Sequence, residues 1–269
     1  MPILNINEDG HLISCVPEGP DDNGSVVLSS EVKSIAPDAF DTYRNDIVEI
    51  CGDTSAELPK GFLRNSSKLQ RVNLPNVLKM GADCFFYCSA LASVELPALT
   101  EMGYGCFNYC SALDFAKFPA LTTMGNQCFY GCSALVSVEL LALTAMGYQC
   151  FYGCSALGSV GLLALTAMGS QCFYGCNLDI LKIFISRLNH DAIKAVLGDG
   201  FHNCIIPISK ERWAFLVCCA ATKNPTAVTA AVSSAEDSLK KCLFWDCRLT
   251  RHLAGHVTSP YGGNVVRFL

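Results

Sequence analysis

The chain has 269 residues, 51% of them hydrophobic and 16% charged, enough apolar material for a large core. A formal charge of −5 without a dense basic patch excludes the usual footprint of nucleic-acid binding, and no uninterrupted apolar run reaches the ~18 to 20 residues of a membrane helix. Charge is graded: residues 1–60 hold 3 basic and 12 acidic residues, 61–176 hold 5 of each, and 177–269 hold 11 basic and 7 acidic. Such a gradient can orient a charged partner by steering. The start, MPILNINEDG, has no basic segment followed by an apolar run, so no signal peptide is expected. Seventeen cysteines without an export signal point to free thiols in a reducing compartment, and their odd number bars a complete set of intramolecular disulfides.

At the N-terminus, Leu4-Asn5-Ile6-Asn7 and His11-Leu12-Ile13 alternate around Asp9-Gly10, a strong hairpin signal. Residues 1–25 are therefore expected to form a hairpin cap. From about residue 26 the chain becomes repetitive. Ile35…Ala39-Phe40 and Leu58…Gly61-Phe62 look like two diverged units shifted by one residue. Five nearly gapless units follow, with Met-Gly at Met80, Met102, Met124, Met146 and Met168. Cys-Phe recurs at Cys84, Cys106, Cys128, Cys150 and Cys172, and a second cysteine at Cys88, Cys110, Cys132, Cys154 and Cys176. A fixed period of ~20 to 30 residues means stacked units that share one core.

In one unit, Leu91-Ala-Ser-Val-Glu-Leu-Pro97, the alternation Val94-x-Leu96 predicts a short strand with both side chains inward. Pro97 ends it. Gly103 is read as the glycine of a tight turn, and Cys106–Cys110 as a single helical or 3₁₀-like turn with Phe107 inward. The two cysteine columns would stack at about strand spacing, ~4.8 Å. Cysteine is among the residue types most often fully buried, and in-register side chains point parallel, a poor direction for bridging. The columns are read as core, with a redox stack or a metal column as the other readings.

After Cys176 the period stops. Leu178, Leu181, Ile185 and Leu188 fall at helical spacing, and a second helix over Asp191–Leu197 would end at Gly198. Phe201–Ile208 reads as a short strand or buried loop. Further helices follow, one from Ser209 through Ala220 and one opened by Ser234-x-x-Asp237. Residues 177–269 are thus expected to be a small, mainly helical domain. It holds Cys204, Cys218, Cys219, Cys242 and Cys247 with His190, His202, His252 and His256. Cys242, Cys247, His252 and His256 match no standard zinc spacing, so no metal and no cofactor are predicted. His202 and Cys204 alternate and would share a strand face, a possible nucleophile pair.

The repeat resembles the BspA-like class of leucine-rich repeats, which reads roughly Leu-x-x-Ile-x-Leu-Pro, then Ile-Gly, then Ala-Phe-x-x-Cys. Here Met replaces the Ile before Gly and Cys replaces the Ala before Phe. The resemblance covers about 26–176 and is specific from Leu69 to Cys176. It implies a right-handed leucine-rich-repeat solenoid, an α/β repeat of about seven units with a parallel β-sheet on its concave face. In this class partners usually bind on that face, by the residues flanking the inward pair. One such column is Arg71, Ser93, Phe115, Ser137 and Ser159; the next is Asn73, Glu95, Lys117, Glu139 and Gly161. Phe115 and Lys117 depart from their neighbours, and an exposed aromatic amid serines is the kind of residue that anchors an interface.

The resemblance and the thiols together imply a non-enzymatic interaction protein. Its partner would be another protein, and one version is an enzyme that a bacterial effector inhibits or regulates. The expected location is the cytoplasm or, after injection, a host cytosol. The adhesin role common in this class fits poorly with an odd thiol count and no export signal. The enzyme alternative places a thiol-dependent catalytic domain at 177–269, targeted to its substrate by the repeats.

Overall fold

The computed structural model describes residues 2–17, 23–201 and 203–208. The chain falls into two compact units, Met1–Ile205 and Ile206–Leu269, and the first holds nearly all the described residues. The helices read from Ser209 onward, with Cys218, Cys219, Cys242, Cys247, His252 and His256, lie outside the described residues, as does His202.

In the first unit each coil contributes one strand to a parallel sheet. The strands are Ser25–Val27, Glu49–Cys51, Arg71–Asn73, Ser93–Glu95, Phe115–Lys117, Ser137–Glu139, Ser159–Leu162 and Lys182–Ser186, bonded in that order. Glu49 pairs with Arg71, Arg71 with Ser93, Ser93 with Phe115, Phe115 with Ser137, and Ser137 with Ser159. The sequence period is therefore the circumference of one coil. Within each strand the middle residue points inward: Val72, Val94, Ala116, Val138 and Val160 are buried. Leu74, Leu96, Phe118, Leu140 and Leu162, two residues on, are buried with them, which is the inward pair read from Val94-x-Leu96.

A second parallel sheet, not anticipated from the sequence, runs along another side of the coils. Its strands are Lys79–Met80, Glu101–Met102, Thr123–Met124, Ala145–Met146 and Ala167–Met168. The glycine after each Met has a different role from the one expected. Gly103, Gly125, Gly147 and Gly169 do not adopt positive φ. A Cβ on Gly103 would lie 2.7 Å from the Ala82 nitrogen, and one on Gly125 2.7 Å from the Gly103 carbonyl carbon. These glycines let adjacent coils approach, and no side chain fits between them.

The Cys-Phe segment is a succession of turns and no helix forms there. It is bracketed by left-handed residues: Gln127, Gln149 and Gln171 before the first cysteine, and Tyr87, Tyr109, Gly131, Gly153 and Gly175 before the second. Left-handed backbone breaks a helix after a few residues and aims successive amides at the next coil: the Phe107 N–H donates to the Cys128 carbonyl at 2.8 Å, and that of Phe129 to Cys150 at 2.8 Å. The core is a column of rings. Phe85, Phe107, Phe129, Phe151 and Phe173 are fully buried, and successive centroids lie 5.4, 5.4, 5.4 and 5.3 Å apart.

At the N-terminal end Ile3–Ile6 and His11–Val16 form the expected antiparallel hairpin, with Gly10 at φ 79°. Its second strand also pairs in parallel with Ser34–Ile35. Beyond Cys176 the reading of a helix through Leu178, Leu181, Ile185 and Leu188 is overturned. Lys182–Ser186 is a strand, and Ser159 to Leu162 face Lys182 to Ile185. Leu181, Ile183 and Ile185 alternate inward and are fully buried, while Leu188 is 94% exposed. The sheet thus continues past 176, because the open edge of the last coil offers hydrogen-bond partners that a lone helix would leave unused. The helix His190–Leu197 follows, close to the expected bounds, and Gly198 closes it with its N–H bonded to the Lys194 carbonyl.

Candidate functional site

The strand face is built by the two residues that flank each inward one. Because the ladder advances one coil per repeat, the two columns expected from the sequence are in register: Arg71, Ser93, Phe115, Ser137 and Ser159, and beside them Asn73, Glu95, Lys117, Glu139 and Gly161. Their exposure is uneven. Arg71, Asn73 and Glu95 are exposed, and Ser93, Lys117 and Glu139 are half-buried. Arg71 reaches back to Glu49, its Nη2 lying 2.8 Å from Oε2. The guanidinium's hydrogen bond holds the Glu49 carboxyl below its ordinary range against a small desolvation effect. Lys68 pairs with Asp46 at 2.8 Å, also across one coil.

The thiol columns face the other way, into the core, and the geometry gives them a structural task. In the second column Cys88, Cys110, Cys132, Cys154 and Cys176 donate to the carbonyls of Leu63, Phe85, Phe107, Phe129 and Phe151 at 3.0 to 3.2 Å. In the first column each thiol from Cys106 to Cys172 sits between two glycine carbonyls, and Cys84 between those of Pro59 and Gly81. Cys128 Sγ lies 3.0 Å from the Gly103 oxygen of the preceding coil and 3.3 Å from the Gly125 oxygen of its own. Cys150 repeats this with Gly125 and Gly147 at 3.1 and 3.3 Å. A thiol is a small hydrophobe with one weak donor, so it fills the core and satisfies a carbonyl between coils at once. Only the protonated form can do this. Burial accordingly pushes the Cys88 and Cys176 thiols up to about 12 and raises Cys110, Cys132 and Cys154 as well.

With this geometry established, a family model described as "BspA type Leucine rich repeat region (6 copies)" matches residues 22–136 and 79–204. The chain belongs to the BspA-type leucine-rich-repeat family. Two solved structures show the same fold. One, a T. pallidum leucine-rich-repeat protein, is 20% identical, with a TM-score of 0.57 over 74% of this chain and 94% of that one. The other, a leucine-rich cell surface protein of Faecalibacterium prausnitzii, is 20% identical, with a TM-score of 0.53 over 69% of this chain. This BspA-type chain spans about half of that protein, 54% of its length. No curated protein matches the sequence.

One expectation for this BspA-type strand face fails. Phe115 is only 7% exposed and is not an open aromatic anchor. The shielding is regional: Ser137 and Ser159, next in its column, keep 7% and 4%. A large ring gains about 2 kcal/mol by leaving water, so Phe115 suits a shielded zone better than an open one. The open part of the face is the coils from Glu49 to Glu95, a distinction that spacing alone does not reveal.

The thiol nucleophile expected in the C-terminal part fares no better at Cys204. Its side chain is buried, its Sγ lies 3.4 Å from the Leu178 carbonyl, and burial raises its pKa. It directly precedes the strand Ile205–Ile208, and its carbonyl accepts from the Ile183 N–H at 2.8 Å. Among the described residues no group of three His, Cys, Asp or Glu side chains is placed to hold a metal ion, and no helix is long and apolar enough to cross a membrane.

Proposed function

We propose that this BspA-type solenoid is a scaffold whose strand face binds a protein partner, with the contact centred on Arg71, Asn73, Ser93 and Glu95 and extending to Lys117 and Glu139. One observation carries this reading: polar groups of both signs are held in register on one rigid sheet face and remain open to water there. Fixed charges on a preorganised surface need no ordering on binding, so little of their interaction is lost to entropy. Mixed charges also discriminate, because a partner with the wrong pattern leaves like charges facing each other.

The finer form of the proposal makes the partner an enzyme that docking inhibits, in the cytosol of the producing cell or of a host. Its support is the set of protonated core thiols, which persist best under reducing conditions. The test is a reversal of charge on the open coils. Arg71→Glu combined with Glu95→Lys is expected to abolish capture of a partner that the native chain retains, and to relieve any inhibition in parallel. Equal capture by both proteins would move the binding site off this face. Loss of capture without any effect on the partner's activity would leave the scaffold and remove the inhibitor.

A further inference from the structure

The turn side of the coils carries a second ordered array. Tyr87, Tyr109, Tyr130, Tyr152 and Tyr174 form one row, with successive ring centroids 4.9, 5.5, 4.7 and 5.1 Å apart. Tyr87, Tyr109 and Tyr174 keep 49%, 41% and 61% of their surface. The row survives a change in the sequence. Tyrosine stands three residues after the first cysteine in two coils and two residues after it in the next three. Gly131 takes the vacated position, and a Cβ there would lie 2.8 Å from the Tyr109 ring. The same turns carry an amide chain: Gln127 Nε2 donates to Gln149 Oε1 at 2.7 Å, and Gln149 Nε2 to Gln171 Oε1 at 2.8 Å. Each carboxamide has a second N–H beyond this chain. Residues 140–178 contain no Asp, Glu, Lys or Arg, and from 118 to 178 the single charge is Glu139, on the strand side.

We propose that this side binds a neutral glycan chain running along the solenoid axis. Charge decides against polyanions, since the coils from 118 to 178 carry no cation and release no counterions on binding them; one cation, Arg64, lies over the Phe86 ring beside Tyr87 at the first end of the row. Size decides against a folded protein. The row spans four coil steps of ~4.8 Å, about 19 Å, and is about two side chains wide, well short of the ~800 Å² per partner of a stable protein interface. A narrow linear ligand fits those dimensions. The rings from Tyr130 to Tyr174 stack at 3° and 23° and so present edges and hydroxyls along the row. Tyr109 meets Tyr130 at 60°, and the end ring Tyr174 keeps 61% of its surface. Phenol hydroxyls and spare amide N–H groups suit a ligand made of hydroxyls, and the end ring suits an apolar sugar face. Gln-Cys-Phe-Tyr-Gly-Cys at 127–132, 149–154 and 171–176 offers the same groups at one spacing. A polymer of one repeating sugar matches that pattern, and a folded protein surface does not.

The experiment uses the full chain and neutral homopolymeric glucans, mannans, xylans and galactans, each as a length series from disaccharide upward. At least one series is expected to bind, with affinity rising with length until the row is spanned and then levelling, and with little response to salt. Tyr152→Phe keeps the ring stack and removes one hydroxyl. Gln149→Gly removes one amide at a left-handed position that glycine occupies without strain. The two changes together are expected to weaken binding about tenfold, with amide-exchange protection of the coils unchanged, while Arg71→Glu leaves glycan binding as it was. Four results would overturn the proposal: no series binding, binding that both variants retain, binding confined to charged polymers and lost in salt, or self-association that both variants abolish.

Discussion

The duplicated coils from Leu69 to Cys176 and the diverged coils before them share one architecture but solve its interior differently. In the duplicated coils the core rings lie parallel, with interplanar angles of 9°, 11°, 3° and 11°. Upstream, Phe40, Phe62 and Phe85 meet edge to face at 83° and 87°. The one-residue shift accounts for the second angle, because Phe62 and Phe85 are 23 residues apart, whereas Phe40 and Phe62 are separated by 22 and share one position in the coil. The Leu63 N–H donates to the Cys84 carbonyl as that of Phe85 donates to Cys106, so Leu63 holds the ring's position and Phe62 enters from the neighbouring one. Ser66 likewise stands where Cys88 stands one coil on, and its hydroxyl is buried without a hydrogen-bond partner. Identical neighbours thus permit stacked rings and a continuous thiol ladder, and divergence leaves local misfits that the coil tolerates.

The largest test of this contrast is alkaline pH. The folded values of the second-column thiols lie above the unfolded ~8.5, so their contribution is fully present below ~8.5 and is lost as pH rises from there toward about 12, the value of Cys88 and Cys176. Each such thiol removes up to about 1.4 kcal/mol per pH unit in that window. Several acting together are expected to unfold the duplicated coils near pH ~10, and hydrogen exchange should show them losing protection before the coils upstream of Leu58. Simultaneous loss in both regions would end the comparison. Next in size is Gly125→Ala, which forces a Cβ against the Gly103 backbone and is expected to cost about 3 kcal/mol. Gly61→Ala meets nothing within 4 Å and adds only the left-handed penalty, about 1 kcal/mol; denaturant midpoints compare the two.

Smaller effects sharpen the thiol argument. Cys132→Ala removes the donor to the Phe107 carbonyl and opens a small void, for about 2 kcal/mol. Ser66→Cys extends the ladder upstream and is expected to stabilise by about 1 kcal/mol as a buried hydroxyl loses its unmet need. If both changes move the midpoint in the same direction, the ladder is ordinary packing. The smallest effect is Arg71→Ala: it breaks an exposed pair with Glu49, and the midpoint is expected to stay near its native value in low and high salt alike.

The spacing of Met-Gly and Cys-Phe was enough to set the length of a coil, and Val94-x-Leu96 enough to mark its strand and the register of both outward columns. Those features repeat with the chain, so any single unit reports them. What the spacing could not separate were two causes with one residue signature. Gly103 looked like a turn glycine, but it is demanded by the backbone of the coil before it. Leu181 and Ile185 fit a helical face as well as an alternating strand, and only the free edge of Ser159–Leu162 chose between them. Phe115 sat in the outward column as expected, yet its exposure depended on surroundings that no repeat unit contains.

By itself the sequence determined the repeat, the inward residues and the burial of the cysteines, because these follow from one coil meeting a copy of itself. The tertiary structure alone decided which glycines let the coils approach, where the thiols point, how far the sheet extends and which part of its face stays in water. Each of those depends on atoms a full coil or more away in the chain, brought within van der Waals or hydrogen-bond distance only by the stack.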